Sequence, residues 1–152
     1  MNSASRLPLA PVLLLAMIAS CGGSSSPPAS APGANALAMT AIDDRLQGAW
    51  RLAAYRPELA PDPMFQALLT TQIGALIVRF ERGRLLADSP TFHTVRAYRI
   101  VEAAGPLFTL ESPDVGNAVL TTKATISEDG QHIAFQANTD PWRGSGDLVR
   151  VP

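Results

Sequence analysis

Cys21 is the only cysteine of the chain, and it lies between an apolar stretch and a tract rich in serine, proline and glycine. The apolar stretch covers residues 7–19 and follows a single basic residue, Arg6. A lone cysteine excludes an intrachain disulfide. The chemistry open to this thiol is therefore pairing between chains, a free thiol, or covalent modification in which the sulfur acts as the nucleophile.

The residues before Cys21 resemble the lipobox of bacterial lipoproteins. Ile18, Ala19 and Ser20 provide a branched apolar residue and two small residues directly before the cysteine. The resemblance implies that residues 1–20 are a lipoprotein signal peptide and that Cys21 becomes the lipidated first residue of a protein held in the bacterial cell envelope. Glycine after the cysteine, in place of aspartate, implies the outer rather than the inner membrane. The alternative is an ordinary signal peptide with an incidental cysteine.

Composition divides the rest of the chain into a linker and one domain. Residues 22–40 are almost all small residues and proline, which bury too little apolar surface to become ordered. We therefore predict that residues 21–40 are the lipidated cysteine and a flexible linker, and that residues 41–152 form a single domain. A net charge of −1 without a Lys/Arg cluster excludes a nucleic-acid partner.

Arg96, Tyr98 and Arg99 are the candidate ligand-binding residues of the domain. Along a strand, Arg96 and Tyr98 share one face and Arg99 lies on the other, so an arginine faces inward in either orientation. An inward arginine, helped by Tyr98, would suit a carboxylate or another anionic head group. The alternative is that the inward arginine lies near the mouth of the fold and reaches solvent.

Residues with catalytic chemistry form no recognisable site in the sequence. His93 and His132 lack the spacing of zinc ligands, and Ser145 lies in Gly-Ser-Gly rather than in a nucleophile elbow. No sequence feature pairs the glutamates at predicted strand ends, Glu81, Glu102 and Glu111. We therefore predict that the protein is not an enzyme and uses neither a metal nor a cofactor.

Short alternating apolar runs predict the elements that would position these residues. The runs are separated by turn residues about every dozen positions, which is typical of an antiparallel β protein. The predicted strands are 47–55, 75–81, 84–88, 94–103, 107–112, 118–127, 131–138 and 146–151. The predicted fold is mainly β, a small antiparallel up-and-down barrel of about eight strands. Asp43 and Asp44 precede the first strand and are predicted only to face solvent.

One short helix is predicted between the first and second strands. Asp62 is placed to cap it, Pro63 lies in its first turn, and Gly74 would end it. Its apolar stripe is Met64, Phe65, Leu68, Leu69, Gln72 and Ile73. Such a helix could plug or gate one end of a barrel.

The start of the first strand resembles the Gly-x-Trp signature of the lipocalins and fatty-acid-binding proteins. Gly48-Ala49-Trp50 carries this resemblance. It implies a lipocalin-like barrel in which Trp50 closes the floor and packs against an arginine of the last strand. Arg150 would be that arginine by cation–π contact, with Arg143 as the rival. The alternative is that Trp50 is a core aromatic residue of another small β fold.

The sequence is compatible with two functions. The first is a membrane-anchored lipoprotein that binds a small apolar or anionic amphiphilic ligand inside its barrel. The second is a structural or interaction lipoprotein with a filled barrel, whose outer surface around residues 141–143 would bind an envelope protein through Trp142 and Arg143. A cavity would favour the first, and a packed interior the second.

Overall fold

A computed structural model describes residues 32–113, 118–140 and 142–152. Cys21, the predicted signal peptide (residues 1–20), the first part of the predicted linker and Pro141 lie outside the described residues. Within the described part of the chain the fold is mainly β, with nine antiparallel strands in a curled half-barrel and two helices. The mainly β class predicted from the alternating apolar runs is confirmed.

The helices and strands are short and closely spaced along the chain. They are α1 (Pro32–Leu46), β1 (Gly48–Pro57), α2 (Pro63–Gln72), β2 (Ile77–Glu81), β3 (Arg84–Ser89), β4 (Phe92–Ala97), β5 (Arg99–Ala104), β6 (Leu107–Pro113), β7 (Val119–Ile126), β8 (His132–Ala137) and β9 (Gly144–Arg150). Every predicted strand except 94–103 overlaps one observed strand, because turn residues mark most of the strand ends.

The sheet has the strand order β4-β3-β2-β1-β9-β8-β7-β6-β5, with antiparallel neighbours throughout. The last strand therefore returns beside the first, and Trp50 of β1 is opposite both Val78 of β2 and Arg150 of β9. The order ends at β4 and β5, which are consecutive in the chain. This arrangement curls the sheet so that its inner face can enclose a core.

The predicted strand 94–103 is wrong, because Tyr98 divides it into β4 and β5. Ala97 ends a strand that pairs with β3, and Arg99 begins one that pairs with β6. The backbone N–H of Tyr98 donates to the carbonyl of Gly83, 2.9 Å away, and its side chain is only 6% exposed. Burial of this aromatic ring at the corner sends the chain from one edge of the sheet to the other.

Helix α1 corrects the linker prediction for residues 32–40. The segment 34–39 contains alanine, leucine and methionine, which have high helix propensity that outweighs the nearby proline and glycine. Ile42 and Leu46, one helical turn apart, are 3% and 0% exposed in the core of the domain. Tertiary packing of this last turn is the physical reason for an ordered helix where composition alone predicted a linker.

Helix α2 follows β1 and precedes β2 in the chain. The side chain of Asp62 accepts hydrogen bonds from the backbone N–H groups of Met64 and Phe65, each at 2.9 Å, as an N-cap residue does. Of the predicted apolar stripe, Leu69 and Gln72 are the buried members, whereas Met64 is 82% exposed. The helix therefore contacts the rest of the domain mainly through its last turns.

Gly146 of β9 makes room for the Phe135 ring of β8 and for the backbone of β1. A Cβ atom at this position would lie 2.5 Å from Cζ of Phe135 and 2.7 Å from the carbonyl oxygen of Ala54. Both distances are shorter than any real carbon contact, so a larger residue would displace the Phe135 ring. The position of that ring matters because Phe135 lines an apolar cavity on the inner face of the sheet.

Candidate ligand-binding site

A cavity of about 310 Å³ lies on the inner face of the curled sheet. Its walls are residues of alternating positions on the strands, such as Phe108 and Leu110 of β6 or Ile133 and Phe135 of β8, because side chains at every second position share one face. The volume is at the lower end of the roughly 300–1,000 Å³ typical of small-molecule sites. Among the described lining residues none is charged, and those with a side-chain hydrogen-bonding group are Tyr55, Gln72, Thr122 and Trp142.

The entrance of the cavity is formed by Leu68, Phe92 and Trp142. Leu68 and Phe92 line the cavity and are nevertheless 39% and 38% exposed, which places them where it opens to solvent. The Trp142 ring packs against Phe65 of α2 with 5.2 Å between ring centroids. Its carbonyl accepts a hydrogen bond of 2.6 Å from the hydroxyl of Tyr55. Trp142 is thus held at the entrance from two sides, rather than standing exposed as a docking residue.

Gln72 brings a polar side chain to the apolar wall. It is the last residue of α2 and is 4% exposed. Its Nε2 group donates to the hydroxyl oxygen of Thr91 at 3.0 Å and to that of Thr71 at 3.3 Å. The bond to Thr91 connects α2 to the turn before β4. The amide oxygen of Gln72, Oε1, has no hydrogen-bond partner among the described residues.

Trp50 and Arg150 contact each other at the start of β1. Trp50 is completely buried, and Cζ of Arg150 lies 4.3 Å from the centre of its ring. The predicted cation–π contact is therefore present, with Arg150 rather than Arg143 as the partner. Gly48 has a φ of 111°, and a Cβ atom there would lie 3.2 Å from Nη1 of Arg150. Glycine at this position thus makes room for the guanidinium group.

The same two side chains hold the carboxyl end of α1. Arg150 donates to the carbonyls of Arg45 and Gln47 at 2.5 and 3.0 Å, and the indole N–H of Trp50 donates to that of Leu46 at 2.7 Å. The last carbonyls of a helix have no partner within it, so these bonds complete the end of α1. A cation at this end is also favoured by the helix dipole.

The structure does not bring Arg96, Tyr98 and Arg99 to the cavity wall. Arg99 lies at the surface, where its Nη2 contacts a carboxylate oxygen of Glu111 at 2.7 Å. Arg96 is half-buried and lies opposite Leu85 across β3 and β4, so it shares the inner face without being among the lining residues. The prediction that an arginine would line the ligand site therefore gains no support from this geometry.

Tyr98 instead links the core to α1. Its ring packs edge-on against Phe80 at 5.3 Å, and its hydroxyl donates to Oδ1 of Asp43 at 2.5 Å. Asp43 is thus a hydrogen-bond acceptor, which corrects the prediction that it only faces solvent. Burial of the phenol, together with the hydrogen bond to the Asp43 carboxylate, raises the pKa of Tyr98 to about 12.

The raised pKa of Tyr98 predicts a loss of stability at alkaline pH. The unfolded chain releases this proton near the ordinary pKa of 10.0 and the folded chain near 12, so the unfolding free energy decreases between these two values. In a Tyr98→Phe chain we expect about 1 kcal/mol less stability at neutral pH and a shallower decrease above pH 10. Urea unfolding across this pH range measures both. An unchanged slope in the variant would exclude Tyr98 as its source.

The remaining candidate catalytic residues are dispersed. His93 pairs with Asp88 across β3 and β4 at the surface, and Ser145 is exposed on β9. Glu102 accepts a hydrogen bond from Thr109, and Glu111 contacts Arg99. Among the residues that the structure describes, no three histidine, cysteine or acidic side chains are grouped as metal ligands.

Comparison with known proteins yields no relative. No family model, no curated protein and no solved structure matches the chain. The likeness to lipocalins therefore remains a resemblance carried by Gly48, Trp50 and Arg150. None of the helices in the described ranges has the length and apolar character needed to cross a membrane.

Sequence reasoning did not identify the residues that line the cavity, apart from placing part of α2 near a barrel end. One available signal was Gln72, a polar residue at a position of the α2 stripe that is otherwise apolar. A polar side chain in such a stripe must find hydrogen-bond partners when it is buried. The other lining residues are ordinary core types, so only the fold shows that they surround a cavity.

Proposed function

We propose that this protein is a membrane-anchored lipoprotein of the bacterial cell envelope whose lipocalin-like domain binds a small apolar or amphiphilic ligand without catalysis or cofactor. The cavity of about 310 Å³ is the observation that carries the proposal. It has apolar walls and an entrance beside α2, and the contact of Trp50 with Arg150 matches what the lipocalin resemblance implies. A concave apolar site with few polar groups is the usual form of a small-molecule site.

The lining favours an uncharged ligand over an anionic one. An ionised head group transferred into an apolar cavity loses its hydration and needs a partner of opposite charge. Arg96 and Arg99 were the candidates for that partner, and neither is among the described lining residues. The ligand class is therefore narrower than the sequence predicts: an apolar molecule, or an amphiphile with a neutral polar end.

An anchor at Cys21 suits a protein that handles such a ligand. Each buried methylene group of an attached acyl chain contributes about 0.8 kcal/mol, so two or more chains anchor a protein stably at a membrane. Apolar molecules concentrate in lipid, and a cavity kept beside the membrane meets them there. Gly22 after the cysteine favours the outer membrane for this site of action.

A second candidate function is docking to an envelope protein, without a ligand. Leu59, Met64 and Ile73, in and beside α2, are 72%, 82% and 40% exposed. Exposed apolar side chains of this size are typical of interaction surfaces when they are contiguous. This candidate replaces the surface around residues 141–143, because Trp142 packs against Phe65 and lines the cavity.

Filling the cavity is expected to abolish ligand binding. Ala124 of β7 is 7% exposed and lies opposite Phe108 and Phe135 on the inner face. An Ala124→Leu side chain would occupy part of the cavity, and we expect the affinity for naphthalene, a neutral fluorescent probe, to fall about tenfold or more. Fluorescence titration of the whole chain measures this affinity.

The matched control is Ala134→Leu, which adds the same atoms to an exposed alanine on the neighbouring strand β8. This variant is expected to bind naphthalene as the unchanged chain does. Absence of naphthalene binding by the unchanged chain, or equal affinity in both variants, would favour the docking function instead.

A further inference from the structure

Gln72 is the polar residue most deeply placed at the cavity. It is 4% exposed and lies in a wall otherwise built largely from leucine, phenylalanine and alanine side chains. Burying an amide among such neighbours costs free energy unless its donors and acceptor are all satisfied. The hydrogen bonds of Gln72 therefore show which of its polar atoms still needs a partner.

The neighbouring threonines determine which way the amide of Gln72 points. The hydroxyl of Thr71 donates its single proton to the carbonyl of Leu68 at 2.7 Å, so towards Gln72 it can act only as an acceptor. The amide group within 3.3 Å of it must consequently be the NH₂ group. The same NH₂ group also reaches Thr91 at 3.0 Å, which accounts for both of its protons.

This orientation leaves Oε1 of Gln72 buried without a hydrogen-bond donor among the described residues. An unsatisfied buried acceptor costs about 1–3 kcal/mol, and most buried polar groups in proteins have a partner. The other donors at the cavity are the hydroxyls of Tyr55 and Thr122 and the indole N–H of Trp142, and none of them reaches Oε1. The Tyr55 hydroxyl instead donates to the carbonyl of Trp142 at 2.6 Å. Oε1 has almost no accessible surface, so a bound molecule that supplies the missing donor must shift the Gln72 side chain as it enters the cavity.

We propose that the ligand carries a neutral hydrogen-bond donor, a hydroxyl group, that binds Oε1 of Gln72 while its apolar body fills the cavity. This inference rests on the proposed ligand-binding function and specifies the ligand class. A hydroxyl satisfies the acceptor without placing a charge in the site, whereas an ionised carboxylate has no proton to donate and would face the amide oxygen with like polarity. A water molecule takes about 30 Å³ in the liquid, so a cavity of about 310 Å³ has room for about ten groups of that size.

Three molecules of matched size and different polar ends test the proposal. They are butylbenzene, which lacks a polar end, 4-phenyl-1-butanol, which ends in a hydroxyl, and 4-phenylbutanoate, which is ionised at neutral pH. Displacement of naphthalene from the whole chain measures their affinities. We expect the alcohol to bind about fivefold to tenfold more tightly than butylbenzene, as one hydrogen bond in a buried site provides, and the carboxylate to bind most weakly.

Substitution of Gln72 tests whether this residue causes the preference. Gln72→Met keeps the length of the side chain and removes the acceptor, and we expect butylbenzene and the alcohol to bind this variant equally. The matched control is Gln66→Met, an exposed glutamine on the same helix, which is expected to keep the preference for the alcohol. Circular dichroism of both variants checks that the fold is retained.

The outcomes separate this inference from the proposed function. If butylbenzene binds and the alcohol binds no better, or if Gln72→Met keeps the preference, the role of Gln72 is overturned and the binding function stands. Tightest binding of 4-phenylbutanoate would overturn the neutral ligand class in favour of an anionic one. If naphthalene and all three molecules fail to bind, both the function and the inference are overturned.

Discussion

A Cys21→Ser chain is expected to carry no lipid and to separate from the membrane fraction when cells are lysed. The hydroxyl of serine is a far weaker nucleophile than a thiol, so it does not acquire the acyl-bearing group. The apolar stretch at residues 7–19 is shorter than the roughly 20 residues that span a bilayer and would not replace the lipid. Expression in a Gram-negative host with radiolabelled palmitate, followed by membrane fractionation, measures lipid attachment and membrane association. We expect the label to be lost completely in the Cys21→Ser chain.

A Ser24→Ala chain is the matched control for this experiment. It alters a small polar residue three positions after the cysteine and is expected to be labelled and membrane-bound as the unchanged chain is. The opposite result has a clear meaning as well. If the unchanged chain loses its signal peptide but carries no label and stays out of the membrane fraction, then residues 1–20 are an ordinary signal peptide and Cys21 is incidental.

The strands were predictable because the sheet is buried on one face. Alternation such as that of Ile133, Phe135 and Ala137 on β8 predicts a half-buried strand directly, and the structure places all three along the cavity wall. The wrong prediction of one continuous strand over residues 94–103 also follows from this alternating pattern. A corner residue with a buried side chain, Tyr98, continues the alternating pattern although the backbone changes partners there.

Helix α1 and the cavity were beyond sequence reasoning for a different reason. Composition describes an isolated segment, whereas α1 is ordered through tertiary contacts of Ile42 and Leu46 and through hydrogen bonds from the last strand. A cavity depends on how side chains from distant strands meet, as at Phe108, Ala124 and Phe135. By contrast, the contact of Trp50 with Arg150 was predictable, since the Gly-x-Trp signature implies the geometry along with the residues.

Arg150→Met is expected to cause the largest loss of stability of any substitution in the described domain outside the apolar core. The change removes the charged donors that reach the carbonyls of Arg45, Gln47 and Gly130, and it removes the cation over the Trp50 ring. Hydrogen bonds to charged groups contribute about 1.5–3 kcal/mol each and do not add fully. We therefore expect the free energy of unfolding to fall by about 3 kcal/mol or more, measured by urea unfolding followed by circular dichroism.

Two further substitutions identify the physical origin of this loss. Arg143→Met removes an arginine just before the opposite end of β9, whose contact is an exposed ion pair with Asp140, and it should cost at most about 1 kcal/mol. Arg150→Lys keeps the charge but loses the planar fork that reaches several carbonyls at once, so its cost should be intermediate. Amide exchange in α1 should accelerate with Arg150→Met and not with Arg143→Met, because the end of that helix loses its partners. Equal stability of the two methionine variants would mean that Trp50 and Leu46 alone hold the start of β1 against the end of α1, and that the arginine of the last strand merely covers the ring.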